Sequence, residues 1–506
     1  MQVLSEAVRA PGRDRAAAAA RGLTRSSVIW AVSLAALVFT AVACTTSRLL
    51  MLDTFASLAA GREIAQHGVP HTEALTWAAH GRPWIDQQWL GQWLFYEAYR
   101  LGGYPAVGAL SAVSIALAFG VLAAYMLHRG TSTVRTLIWV AVAYAVCELN
   151  TVMRTQSFAY PLFVLMIVIL LEDDRRHRFN RSLLALPLLF LLWANLHGSV
   201  LLAAPIVVIY CLWAAAHNLR PLRRRTLGAY LGLAACMPLA LLTTPYGLTI
   251  ADYYRSVLDN PVLTARVGEW HPATFGGPST QFVIVLLAAI GLLGFAYGRG
   301  FRPPLFMVGL TFALALAGIH AVRYQVWFGF AATLLIAEVM SGTFASSESP
   351  LIRRISARVV PAAAVIGVVG SSLLLATTAT SRFEALSPRP AMNATATWAA
   401  AHPQAKIMAG DTSASALLWT HPELTGRVGF DSRYEIYSQR QLLAYTDWVA
   451  GNGSRSQWSR VLDGYDEVLL STAYRQNVID RMRTLPGWHR IYGDADGVVF
   501  VRDGAG

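Results

Sequence analysis

The stretch "LLMLDTFASLAAGREIAQHGVPHTEALTW", residues 49–77, ends a long apolar run on a carboxylate, Asp53. Upstream, residues from about 28 to 52 form an apolar segment long enough to cross a bilayer, which takes about 20 residues. Downstream, residues 54–66 predict a helix, with Asp53 suited to the N-cap, Gly68 to the C′ position and Pro70 to the stop. An acidic side chain at the mouth of a membrane span is costly unless it has a partner or a task. The partner or task of Asp53 must therefore come from elsewhere in the chain.

Composition excludes an ordinary soluble domain. Hydrophobic residues make up 55% of the 506, and charged residues only 14%. Apolar segments recur at about 28–52, 105–127, 134–150, 158–171, 182–196, 199–216, 227–243, 281–298, 304–319, 324–340 and 359–378, roughly eleven in all. The formal charge of +12 has a membrane explanation and needs no nucleic acid. A tail with Arg9, Arg13, Arg15, Arg21 and Arg25, and the loops around Arg129 and Arg135, Arg175 to Arg181, Arg220 to Arg225, Arg299 and Arg302, and Arg353 to Arg358, all fall on one side. The positive-inside rule makes that side the cytosol. Lys406 is the one lysine among many arginines, a skew that suits a GC-rich bacterial genome. Cys44, Cys147, Cys211 and Cys236 all lie in apolar spans, so neither a disulfide nor a metal framework is expected.

With the N-terminus inside, three segments face outward: a first loop over 53–104, a second over 244–280, and everything from about 379. In the first, "RPWIDQQWLGQWLFYEAYRLGG" (82–103) predicts a second helix whose Trp89, Trp93 and Tyr96 form an aromatic stripe, for the membrane interface or for packing on the bundle. After 379 polar residues and turns return. "AKIMAG" (405–410), "RVGF" (427–430), "EVLLS" (467–471), "WHRIYG" (488–493) and "GVVFVR" (497–502) predict strands with helices between them, and "DADG" (494–497) predicts the hairpin turn of the last two rather than a calcium loop. The expected organisation is a cytosolic tail over 1–27, a membrane domain over 28–378 and an extracytoplasmic α/β domain over 379–506.

Candidate chemistry gathers at the outward ends of the spans. Asp53 and Glu269 are the candidate catalytic carboxylates. Arg154, His197, and the pair His320 and Arg323, one helical turn apart, are candidate phosphate ligands. His271, Asp431 and Arg433 are candidate acceptor ligands. Each has an ordinary alternative: an N-cap for Asp53, a snorkelling cation for Arg154, an interhelical contact for His197 with Asn195, salt bridges for Glu269 and for the "DSRYE" group, and a span-boundary charge for Arg323. Glu148 and Glu338 lie within spans, where arginines of the bundle could pair with them. Walker, CxxC, HExxH and strand-to-helix GxGxxG motifs are absent from the sequence.

Segments 52–77 and 81–107 together resemble the first external loop of bacterial GT-C-class membrane glycosyltransferases, and "WANLHGS" (193–199), "TPYGL" (244–248), "EWHP" (269–272) and "GFDSRYEIY" (429–437) resemble further segments of such membrane families. The resemblance implies a polytopic α-helical membrane protein with a small extracytoplasmic α/β domain. It implies transfer of a sugar from a polyprenyl-phosphate carrier to a cell-envelope glycan or glycoprotein at the external face, with Asp53 in the place of the essential acidic residue. Better-known members often have an acidic pair such as Asp-Glu there; this chain has Asp53-Thr54, and a divalent cation (Mg or Mn) remains open as cofactor. Two other classes stand beside this reading: a non-catalytic envelope-assembly protein, and a transporter of lipid-linked glycan, which predicts inverted repeats that the sequence does not display.

Overall fold

The computed structural model describes residues 24–45, 52–176, 179–217, 224–277, 279–344, 349–473 and 475–504. The expected basic tail lies outside them up to residue 23. The bundle contains Arg25–Thr45 (α1), Leu52–His67 (α2), Trp89–His128 (α3), Thr133–Cys147 (α4), Ala159–Arg176 (α5), Leu186–Leu196 (α6), Val200–His217 (α7) and Arg224–Leu241 (α8). Ile250–Leu258 (α9) and Pro261–Arg266 (α10) lie in the second loop, and Thr280–Gly298 (α11), Leu305–His320 (α12), Gln325–Thr343 (α13) and Pro350–Glu384 (α14) complete the bundle. Seven described helices are long and apolar enough to cross a membrane, and three more apolar helices are shorter. α13 is the axis: nearly every residue from Gln325 to Val339 is buried. α14 instead presents Val365, Ile366, Val369 and Leu373 outward, as α11 does Ile284, Leu287 and Ile290. Apolar belts of that size are stable only against hydrocarbon.

Local sequence explains the departures from expectation. Asp53 lies inside the first turn of α2 and not at its N-cap, where its charge still complements the helix dipole. Gly68 does take the left-handed conformation, φ +87°, that ends this helix. The second helix starts at Trp89, seven residues later than expected, because the Thr72 and Pro83 backbones pair as a β-bridge and hold 82–88 out of helix. α3 then runs into the membrane across a break at Gly102 and Gly103, the latter at φ +62° with Pro105 just beyond. The aromatic stripe is packing: Trp89 donates its indole N–H to Asn195 at 2.8 Å, and Tyr96 meets Trp419 edge-on. Gly61 lets α2 cross α3 closely, since a Cβ there would lie 2.2 Å from the Gln92 carbonyl oxygen.

α14 continues to Glu384, past the expected boundary at 378, and the C-terminal unit begins with Arg389–Ala401 (α15). Ile407–Ala409 (β1), Glu467–Ser471 (β2), Trp488–Gly493 (β3) and Gly497–Arg502 (β4) form one sheet in the order β1-β2-β4-β3, with β1 and β2 parallel and the others antiparallel. Asp411–Thr420 (α16), Gln439–Ala450 (α17), Arg455–Ser459 (α18) and Gln476–Arg483 (α19) complete the unit. "DADG" is the hairpin turn, with Asp494 accepting from the Asp496 and Gly497 amides. "RVGF" is not a strand: Val428 forms single bridges, to Ile407 on one side and Thr76 on the other. That residue stitches the first loop to the sheet. α16 packs on α2, and Arg62 of α2 donates to the carbonyls of Leu418 and Trp419 at 2.6 and 2.7 Å.

Candidate functional site

Where the C-terminal unit meets the bundle, the helices are broken. Arg154 is extended (φ −132°, ψ 155°) between two 3₁₀ turns, His197 is extended between α6 and α7, and Glu269 and Arg323 sit on the 3₁₀ turns Gly268–Trp270 and Val322–Tyr324. Irregular backbone at membrane depth is tolerated where it lines a cavity. Here it lines one of about 380 Å³ that also receives Asp53.

Arg154 sits between two carboxylates. Its Nε lies 2.7 Å from Asp53 Oδ2, off the N–H axis, so that contact is charge pairing rather than a directed hydrogen bond. Its Nη1 donates to Glu269 Oε2 at 2.5 Å. Arg323 is held less tightly, 3.8 Å from Glu269 Oε1 and stacked 4.1 Å over the Trp270 ring. Burial disfavours the charge on Arg154, but Asp53 and Glu269 outweigh it and keep the guanidinium protonated. The two carboxylates diverge. Burial raises the Asp53 carboxyl above its ordinary range, and Arg154 offsets this only in part. For Glu269 the same burial is overcome by Arg154 and Arg323, and its carboxyl is lowered. The Asp53 side chain keeps 39% of its surface accessible although protein surrounds it; what it faces is the cavity. His197 is pushed down to about 3 by burial and then by Arg323 and Arg154, so its imidazole is neutral. The Ser199 amide donates to its Nδ1 at 3.1 Å, which leaves the proton on Nε2.

Of the other expected residues, His320, His271 and Asp431 lie outside the cavity, while Arg433 reaches its wall. His320 ends α12 and is exposed; the chain turns extended at Ala321, so it shares no helix face with Arg323 and does not line the cavity. His271 is exposed, and its ring meets the Ala265 carbonyl at 3.4 Å. Asp431 and Arg433 are buried in a network of their own. Arg433 donates both terminal nitrogens to Glu73 at 2.8 Å and its Nε to Asp431 at 2.7 Å, over the Trp84 ring. This ties the first loop to the C-terminal unit beside the cavity.

Sequence reasoning missed a wall. Asp411, Ser432 and Tyr434 of the C-terminal unit line the same cavity as Asp53. Tyr434 donates its hydroxyl to Asp411 at 2.6 Å, and Arg475 donates to the same carboxylate at 2.7 Å. Asp411 opens α16 directly after β1, a strand-to-helix junction that was a readable signal; nothing in the sequence joins it to a residue 358 positions earlier. The residues do not fit a resident divalent cation. Arg154 already stands between the two carboxylates, and among the described residues no three His, Cys, Asp or Glu side chains converge as a metal site.

Two more cavities adjoin. One, of about 280 Å³, shares Gln156, His197 and Arg323 with the first and continues between Leu201, Leu202 and Trp327. The other, of about 450 Å³, meets the first at Tyr253 and Glu435.

Among solved structures the chain is similar to the oligosaccharyltransferase of Archaeoglobus fulgidus, captured with an acceptor peptide containing the NVT sequon tethered by a disulfide bond. The TM-score is 0.52 at 10% identity, over 94% of this chain and 74% of that one. The likeness is one of fold alone, a GT-C-like polytopic helical architecture with a small C-terminal sheet. ArnT from Cupriavidus metallidurans in its apo state matches with a TM-score of 0.46 at 15% identity, over 94% of this chain and 95% of that one. No family model and no curated protein matches the sequence.

Proposed function

We propose that the chain is a glycosyltransferase that moves a sugar from a polyprenyl-phosphate carrier to a hydroxyl of a cell-envelope glycan or glycoprotein, at the external membrane face. The observation that carries this is the cavity itself. It holds a carboxylate of raised basicity, a cation only loosely engaged, and a continuous path into apolar and aromatic surface. Arg323 is the better phosphate ligand, because Arg154 is committed to two carboxylates. The carrier chain would follow the groove past Trp327, with its phosphate against Arg323 and the neutral His197 Nε2–H. Asp53 takes the proton of the acceptor hydroxyl as that oxygen bonds to the anomeric carbon. The bond from that carbon to the phosphate oxygen breaks, and the lipid phosphate departs with the electron pair, its charge stabilised by Arg323. Arg154 keeps Asp53 in place and Glu269 ionised. The N-terminus is cytosolic in this reading and the C-terminal unit is outside, as the arginine distribution supports.

Asp53→Asn is the test, on purified protein in nanodiscs with a panel of polyprenyl-phosphate sugars. Release of polyprenyl phosphate should fall about 10²–10⁴-fold, the usual worth of a general base, with melting unchanged. Unchanged release would reject Asp53 and turn attention to Glu269.

A further inference from the structure

The outer cavity differs in chemistry from the central one. The central cavity is lined by Arg154, Arg266, Arg323 and Arg433. The outer one contains neither arginine nor lysine among its described lining; its charged groups are Glu435 and Asp252. Its rim is open, since His71, Asp252 and Ser256 are exposed, and rings converge on it: His71 meets Tyr246 edge-on at 5.3 Å, with Trp84 at the base. Asp252 is occupied at the rim by Arg255, 2.8 Å away. Glu435 is not occupied. It stands where the outer and central cavities meet, half-buried, and among the described residues no other side chain hydrogen-bonds or ion-pairs with its carboxyl. Most carboxylates around it have a side-chain partner: Asp53 has Arg154, Glu73 and Asp431 have Arg433, and Asp411 has Tyr434 and Arg475. Asp86 is the exception, but its Oδ2 is buried in the protein and the residue lines neither cavity.

An unpaired carboxylate among rings, in a cavity whose described lining holds neither arginine nor lysine, suits an uncharged polyhydroxyl ligand. Sugar hydroxyls donate to a carboxylate, sugar C–H faces lie on aromatic rings, and a phosphate there would meet like charge. We infer that the outer cavity is the acceptor subsite, that it takes a neutral glycan, and that Glu435 holds the acceptor hydroxyls at its junction with the catalytic cavity. The inference rests on the glycosyltransferase reading for its meaning. It assigns a separate set of residues, so the two fail separately. Burial raises the Glu435 carboxyl to about 7, so that near neutrality it both donates and accepts.

The experiment is equilibrium binding to the full chain in nanodiscs, with mannotriose, cellotriose and arabinotriose as neutral probes and mannotriose phosphate as the charged one. At least one neutral probe should bind, at least tenfold more weakly to Glu435→Gln and to His71→Ala, and equally well to Arg323→Ala. The phosphorylated probe should not gain affinity at this site. Glu435→Gln is isosteric, and His71→Ala alters only the exposed rim, so the second variant keeps the test decisive if the first misfolds. Failure of all three neutral probes to bind would overturn the inference. So would binding insensitive to both variants, or tighter binding of the phosphorylated probe that Glu435→Gln abolishes. Binding of polyprenyl phosphate, lost in Arg323→Ala, reads the donor site independently.

Discussion

Two arginine–carboxylate clusters occupy opposite ends of the same helices. α5 and α13 each begin beside the Asp53–Arg154–Glu269 cluster and end beside a second one, in which Glu338 receives Arg175, Arg129 and the Tyr125 hydroxyl. In composition the two are alike. In surroundings they are opposite: the Glu338 side chain is 3% exposed and its partners converge on it, whereas Asp53 and Glu269 retain 39% and 30% and face a cavity. The closed cluster has spent its charges on each other inside the bundle. The open one keeps a cation loosely bound and a carboxylate of raised basicity next to space for a ligand. An intramembrane charge is thus a weak pointer to function until its access is known.

The comparison predicts unequal consequences for similar substitutions. Between the two clusters, the larger functional effect should come from Arg154→Gln, which leaves Asp53 and Glu269 facing each other without their cation. Turnover of the polyprenyl-phosphate donor should fall about 10²-fold or more while the bundle still assembles, in keeping with loss of a positioned charge. Glu338→Ala should do the reverse. It strands two arginines in a closed site and should cost about 3–5 kcal/mol in denaturant unfolding, with donor affinity retained in the folded fraction. A variant that kept stability but lost donor binding would erase the distinction between the two ends.

A third buried carboxylate sharpens the point from within the C-terminal unit. Glu467 is fully buried with neither oxygen in a well-formed hydrogen bond, and burial, only partly offset by the nearby Thr395 hydroxyl and Arg427, pushes it up to about 8. Its folded value lies above its unfolded one, so its contribution to stability is complete below the ordinary carboxyl range and is lost as pH rises toward 8. Glu467→Gln should remove up to about 1.4 kcal/mol per pH unit of that slope, readable from melting between pH 5 and 8. An unchanged slope would mean that the carboxyl finds a partner on unfolding or in solution. The smallest effects belong to His271→Ala and His320→Ala. Both residues are exposed and outside the cavity, and donor turnover should stay within about twofold of wild type, the range of surface changes away from a site.

How much of this was legible in the sequence depended on range. Each of the expected apolar segments has a helix over most of its described length, the first of them up to Thr45, because span length and hydropathy are local. Gly68 and the "DADG" turn were readable for the same reason: their backbone chemistry is carried by adjacent residues. Asp53, Arg154, Glu269 and Arg323 stand out in the sequence only singly, as charges near span ends, and the structure brings these four together with His197. The pairing of His320 with Arg323 failed on one residue, Ala321, whose extended backbone breaks the helix between them. Asp411 escaped, and Glu435 was legible only as a member of the "DSRYE" group, because the relation of both to Asp53 exists only after the C-terminal unit docks on α2, through Arg62 and the Val428 bridges. Periodicity reports which face is buried; it does not report which distant segment buries it.

The open cluster, and not the closed one, should meet a lipid phosphate. The direct measurement is a structure of the full chain in nanodiscs with a polyprenyl phosphate bound. The phosphate should lie within hydrogen-bonding distance of Arg323, beside Arg154 and His197, with the carrier chain running past Trp327. A phosphate seated instead at Arg129 and Arg175, or a bound carrier whose phosphate stays outside the cavity that holds Asp53, would contradict it.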